Sequence, residues 1–272
     1  MTDISIFAEP IFSIKNFIVS NALINAWIVV LGFIVLAIVV RLGFSKKSSK
    51  LQNFMEWFLE GALSFGDSIT GDREKTLKFA PFVLPIFCFI LLSNWLGIMP
   101  GVGSIGFLAE HSGKTTFIPY LRSAMSDLNM TLALAIVAVL STHIAGVLLT
   151  SPWKHLNRFV GLNLFLEIPK KIKQRDFSIL IVNPIKFFVG IIEIAGEFAK
   201  TASLSLRLFG NVFAGEVLLG AMASMFAFFL PVPFLLLEVL VGFIQAFIFS
   251  VLILVFLNIM SESHEEHEEA HA

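Results

Sequence analysis

PIKFFVGIIEIAGEFAKTASLSLRLFGNVFAGEVLLGAMASMF, residues 184–226, is the stretch that decides how this chain is built. Nothing inside it breaks a helical pattern. At ~1.5 Å per residue it makes a helix roughly 60 Å long. The hydrocarbon core of a bilayer is only about 30 Å thick. A helix of this length must tilt steeply, bend or run past the membrane. Leu230-Pro231-Val232-Pro233 follows as a turn, and residues 233–260 form a second long apolar span. Together they predict a long tilted C-terminal helical hairpin.

Working outward, the remaining apolar runs predict three more spans, at 17–40, 79–99 and 128–150. Residues 51–65 differ. Leu51, Phe54, Met55, Phe58, Leu59, Ala62 and Leu63 recur at helical spacing on one face, with Gln52, Asn53, Glu56 and Glu60 on the other. Such an amphipathic helix lies in the membrane interface. Residues 70–78, 101–127 and 151–179 read as polar or basic loops. The acidic tail, 261–272, reads as a solvated end. The expectation is one membrane domain over 1–272: an all-α membrane protein with five transmembrane helices and one interfacial helix. There is no internal repeat.

Composition agrees. Of 272 residues, 57% are hydrophobic and 14% charged, with a mean hydropathy of +0.87. A soluble domain of this size carries more charge than that. Cys88, the one cysteine, has no disulfide partner in the chain, and no Cys/His spacing suits zinc. The first residues lack the basic start of a cleaved signal peptide. Lysine and arginine set the expected topology. Seven fall in residues 41–78 and seven in 154–186, against Lys15, Lys114 and Arg122 on the other side. This bias predicts the N-terminus outside and the C-terminus in the cytoplasm.

Six ionisable residues lie within the last two helices: Glu193, Glu197, Lys200, Arg207, Glu216 and Glu238. A charge at mid-bilayer costs about 2.5–3.5 kcal/mol on insertion scales, so these residues face water, protein or one another. At ~100° per residue, Glu193, Lys200, Arg207 and Asn211 share one stripe, and Glu216 points about 180° from Arg207. In an antiparallel hairpin, residues at equal height have a constant index sum. That puts Gln245 level with Arg207 and Glu238 level with Glu216. The second pair lies about 13 Å nearer the outer surface. A lone cation with carboxylates at two depths on either side of it reads as two half-pathways with a barrier between. A guanidinium suits the barrier, because it does not lose its proton yet attracts a carboxylate.

The segment SLSLRLFGNVFAGE, residues 203–216, closely resembles the signature of the ATP synthase a subunit family, also called subunit 6. Gln245-Ala-Phe-Ile-Phe resembles that family's second signature, and Asp127-Leu-Asn-Met-Thr131 opens the third span as the family does. The resemblance covers nearly the whole chain. It implies the proton-channel, or stator, subunit of the Fo sector of an F-type ATP synthase. By that resemblance Arg207 faces the carboxylates of a ring of c subunits. Glu216 and Glu238 line the outer half-channel, where the family often has a Glu/His pairing and this chain has two glutamates. Asn211 and Gln245 stand near the arginine, Glu193 lies in the cytoplasmic half-channel, and Asp127 and Asn129 line the outer entrance. Implied partners are the c-ring, b-type peripheral stalk subunits, other Fo and F1 subunits and the bilayer. A bacterial plasma membrane is the expected location. No cofactor, metal, nucleic acid or nucleotide is expected. GxxxxGK[ST] does not occur, so ATP chemistry belongs to other subunits.

Plainer readings stand beside these. Arg207 taken without its motif is equally well a structural ion pair. Lys200 reads as a snorkelling residue, Glu197 and equally Glu193 as solvated or interface residues, and His143 and Asn211 as helix–helix hydrogen-bonding groups. A secondary transporter would show an inverted repeat and broken helices, which this sequence lacks. A pure scaffold would tolerate loss of Arg207.

Overall fold

The computed structural model describes residues 8–15, 17–43, 50–99, 101–111, 114–149, 179–226 and 229–262. Among the described residues there are six α-helices: α1 (Asn21–Gly43), α2 (Lys50–Thr70), α3 (Arg73–Ile98), α4 (Leu128–Leu149), α5 (Ile179–Met225) and α6 (Pro231–Glu262). All but α2 are long and apolar enough to cross a membrane. The chain is an all-α, multi-pass membrane protein. α5 has 47 residues in one element. The basic stretch 151–178 and the tail 263–272 lie outside the described residues.

Several boundaries differ from expectation, each for a local reason. Residues 70–78 are a corner, not a loop. Gly71, at φ +71°, ends α2 in the left-handed conformation that suits glycine. The Asp72 side chain then accepts from the Glu74 N–H at 2.9 Å and caps α3, so α3 starts at Arg73. Phe17–Ser20 is strand β2, paired with β1 (Pro10–Ile14) before α1 begins. The loop expected over 101–127 contains a hairpin, β3 (Gly106–His111) with β4 (Lys114–Pro119). A 3-10 turn follows at Ala124–Ser126. α6 opens on Pro231, where a missing N–H costs nothing.

Residue contacts fall into two compact units: residues 1–134 with 204–255, and residues 135–203 with 256–272. In the first, α1 and α2 pack on α3, and α1 also packs on the 3-10 turn. The rings of Phe65 of α2 and Phe247 of α6 meet in a tilted contact, with centroids 5.0 Å apart. Trp95 Nε1 and Asn94 Nδ2 of α3 donate to the Val239 and Gly242 carbonyls of α6 at 3.2 and 3.3 Å. Ile90, Leu208, Phe249 and Ile253 make its buried core. Leu31, Val35 and Ile38 of α1 are exposed, as suits side chains that face lipid. In the second unit the buried positions include Ala138 and Val139 of α4 and Leu257 and Met260 of α6.

Candidate ion-translocation site

Leu204 and Leu208 are buried while Leu206 and Arg207 are exposed. This stretch of α5 is anchored on one side, and Arg207 stands on the outward flank. Ser205 bonds Thr131 through their hydroxyls at 3.2 Å, tying α5 to the start of α4. One turn beyond Arg207, Asn211 Nδ2 donates to Gln245 Oε1 at 2.8 Å. Gln245 is therefore level with Asn211 rather than Arg207, one helical turn from the height that ideal antiparallel spacing gives. Its Nε2 is buried without a hydrogen-bond partner among the described residues.

Glu216 and Glu238 come together. A side chain at Gly215 would occupy the space taken by the Glu238 carboxylate. Only hydrogen at that position lets α6 bring Glu238 so close to the α5 backbone. Glu216 meets a partner that spacing did not disclose. Arg122 Nε donates to Glu216 Oε2 at 2.9 Å, and Nη2 lies 2.9 Å from the same oxygen. The guanidinium is 9% exposed and the carboxylate 21%. The Ser126 side chain and the Ser123 N–H also face this carboxylate.

The loop carrying Arg122 is held on α3. Ser123 Oγ donates to the Ser93 carbonyl at 3.3 Å, and Ser126 Oγ to the Ser123 carbonyl at 2.9 Å. Gly97 leaves the space in which Ser123 packs. Around this loop is a seam of buried polar residues, Asn21, Asn25, Ser93, Asn94, Ser123 and Ser126. Both side-chain polar atoms of Asn25 are buried without a hydrogen-bond partner among the described residues. Groups of this kind in a polar pocket are normally satisfied by ordered water. Sequence reasoning missed the seam, because single Asn and Ser residues in apolar runs give no periodic signal.

Asp127 is 8% exposed. Its Oδ1 accepts from the Asn129 N–H at 3.0 Å and its carbonyl from the Thr131 N–H at 3.1 Å. It caps α4, and the side chain of Asn129 is exposed.

In the second unit Glu193 is half-buried. Glu197 is held by the side chains of Lys200 and His143. Lys200 Nζ lies 2.7 Å from its Oε1 and His143 Nε2 3.3 Å from its Oε2. Lys200 also sits over the Phe256 ring, 4.9 Å from its centre. Among the described residues no group of three His, Cys, Asp or Glu is spaced to hold a metal ion.

The ATP synthase A chain family model matches residues 23–258 of this sequence. ATP synthase subunit a of Geotalea daltonii is 29% identical over 239 residues, covering 88% of this chain and 86% of its own. The subunit of the same name from Syntrophobacter fumaroxidans is 31% identical, with 90% and 85% covered. That of Campylobacter concisus is 29% identical, with 91% and 94% covered.

Proposed function

This chain belongs to the ATP synthase A chain family, the proton-channel subunits of the Fo sector, and from that premise we propose how its residues divide the work of translocation. Arg207 is the fixed stator charge. It holds the ionised carboxylate of a passing c-ring subunit and blocks a direct leak between two half-channels. The observation that carries this reading is the exposure of Arg207 on an anchored stretch of α5. An exposed guanidinium on an apolar membrane helix is placed to attract a carboxylate that passes in front of it.

Glu216 and Glu238 form the outer half-channel, reached through the polar seam of Asn21, Asn25, Ser93 and Asn94 and past Asp127 and Asn129. A proton arriving there neutralises a ring carboxylate, which can then face lipid. The ring turns until the same site releases its proton past Glu193 to the cytoplasm. Asn211 and Gln245 support the ring-facing surface next to Arg207. The subunit is non-catalytic, and its partners are the c-ring, the b-type stalk and the other Fo and F1 subunits. The asymmetry of lysine and arginine supports a bacterial plasma membrane orientation with the N-terminus outside.

The test is ATP-driven proton pumping in inverted membrane vesicles, comparing wild type with Arg207→Ala at equal assembly. Pumping is expected to vanish. Normal pumping in Arg207→Ala would mean that the arginine is structural, and the half-channel reading would fall with it.

A further inference from the structure

The outer pair consists of two glutamates, and among the described residues only one of them has a counter-charge. Arg122 reaches Glu216 through Nε and Nη2, both at 2.9 Å from Oε2, and the guanidinium is almost wholly buried. Glu238 is half-exposed and has no hydrogen-bond partner among the described residues. Three ionisable groups meet here: Arg122 from the loop before α4, Glu216 from α5 and Glu238 from α6. Ser126 and the Ser123 N–H face Glu216 from the same loop as Arg122. The α3 groups closest along α6, Trp95 and Asn94, are neutral and bonded to its backbone.

We propose that Arg122 is a positioning residue of the outer half-channel: as a fixed buried counter-charge it keeps Glu216 a carboxylate, so that Glu238 alone carries the proton. The electrostatics favour this division. A guanidinium does not deprotonate in a protein. A proton placed on Glu216 would break its charge pairing with Arg122 and keep the Glu238 charge beside it. A proton placed on Glu238 preserves the ion pair and removes the repulsion between the two carboxylates. With one proton on the pair, the cluster is neutral. Glu238 gives that proton to a ring carboxylate and regains one from the outer water, so one proton enters for each one passed on. Gly215 is the space in which the Glu238 carboxylate can work.

This assignment rests on the half-channel reading and is tested so that the two can fail separately. The complete ATP synthase carrying each variant is placed in inverted vesicles. Assembly is measured by co-purification of the Fo and F1 subunits, and ATP-driven pumping by quenching of an acridine dye. Arg122→Gln is expected to lower pumping at least tenfold, and Arg122→Lys to retain more, because a cation remains. Neutralising both partners, Arg122→Gln with Glu216→Gln, should recover at least tenfold over Arg122→Gln, since Glu238 still carries the proton. Glu238→Gln should lose at least tenfold. If Arg122→Gln does not assemble, the double variant is compared directly with Glu238→Gln, and the double variant must pump more.

A double variant no better than Glu238→Gln, or Glu238→Gln pumping like wild type, would overturn the assignment. Arg207→Ala runs in the same series. Normal pumping there would overturn the underlying reading as well. Its loss alongside a failed Arg122 series would sink only the division between the two glutamates.

Discussion

Asn211 donates a 2.8 Å hydrogen bond to Gln245 across the α5–α6 contact, and Gln245 is 3% exposed. Between membrane helices such a bond contributes about 0.6 kcal/mol on average. The bond is too weak to hold the hairpin together, but it fixes the register of the two helices one turn from Arg207. Gln245→Leu is expected to lower the thermal midpoint of the purified complex by only a degree or two. It should reduce proton pumping severalfold. A variant that pumps normally would show that the bond is packing alone.

Gly97 of α3 determines where Arg122 can be. A side chain at residue 97 would meet the Ser123 side chain, and the Ser123 Cα would lie only 3.0 Å from its Cβ. Ser123 is the next residue along from Arg122, and backbone yields less readily than a rotamer. Gly97→Val is expected to cost about 1–3 kcal/mol, the usual range for overpacking. It should also disrupt the Arg122–Glu216 pair. The checks are the melting temperature of the purified complex and the pumping rate, both of which should fall. Gly32, where an added Cβ meets nothing within 4 Å, provides the control: Gly32→Ala should change neither.

The membrane helices were legible because lipid imposes one rule along the whole chain: a run of apolar residues long enough to span must be a helix. The length of α5 and the amphipathic face of α2 followed from the same periodicity. Hairpin β3–β4 was not legible, since two six-residue strands within a polar connection resemble a loop. The Glu216–Glu238 pairing could be read from spacing. The Asn211–Gln245 register came out one turn away, because packed helices depart from ideal antiparallel geometry. Arg122 was legible only as an outside charge. Its partner lies 94 positions away, and nothing local announces a pairing at that distance. Asp127 was read as a channel residue by resemblance, while its capping of α4 was there to be read in the sequence DLN.

Glu197 holds Lys200 and His143 at once, at 2.7 and 3.3 Å. Glu197→Leu removes the acceptor from both. The cost should be about 0.5–1.5 kcal/mol, the usual net worth of a hydrogen bond, because both partners are only half-buried. Lys200 retains its contact with the Phe256 ring, so the loss should fall in the lower half of that range. Glu197→Gln keeps an acceptor and should recover part of it. The measurement is the thermal midpoint of the purified complex. Equal midpoints for Leu and Gln would show that the carboxylate is not holding these side chains.

The α2–α3 corner carries a pH dependence whose sign can be worked out. A hydrogen bond from Arg73, whose Nη1 lies 2.8 Å from Asp67 Oδ2, holds the Asp67 carboxyl below its ordinary range. Arg73 also reaches Glu60, with Nη2 2.8 Å from its Oε2. A carboxyl with a lower pKa in the folded chain than in the unfolded one adds stability above its unfolded pKa. That contribution is lost as pH falls through the folded value. The corner should therefore hold at neutral pH and loosen as the medium becomes more acidic than the usual aspartate range. The pair is exposed, so the effect should be confined to the corner and weaken with salt. Hydrogen exchange of the amides of residues 67–76 in the purified complex reads it directly. Protection should fall with acid in wild type and be nearly flat in Asp67→Asn. The same acid dependence in both proteins would assign it to another group.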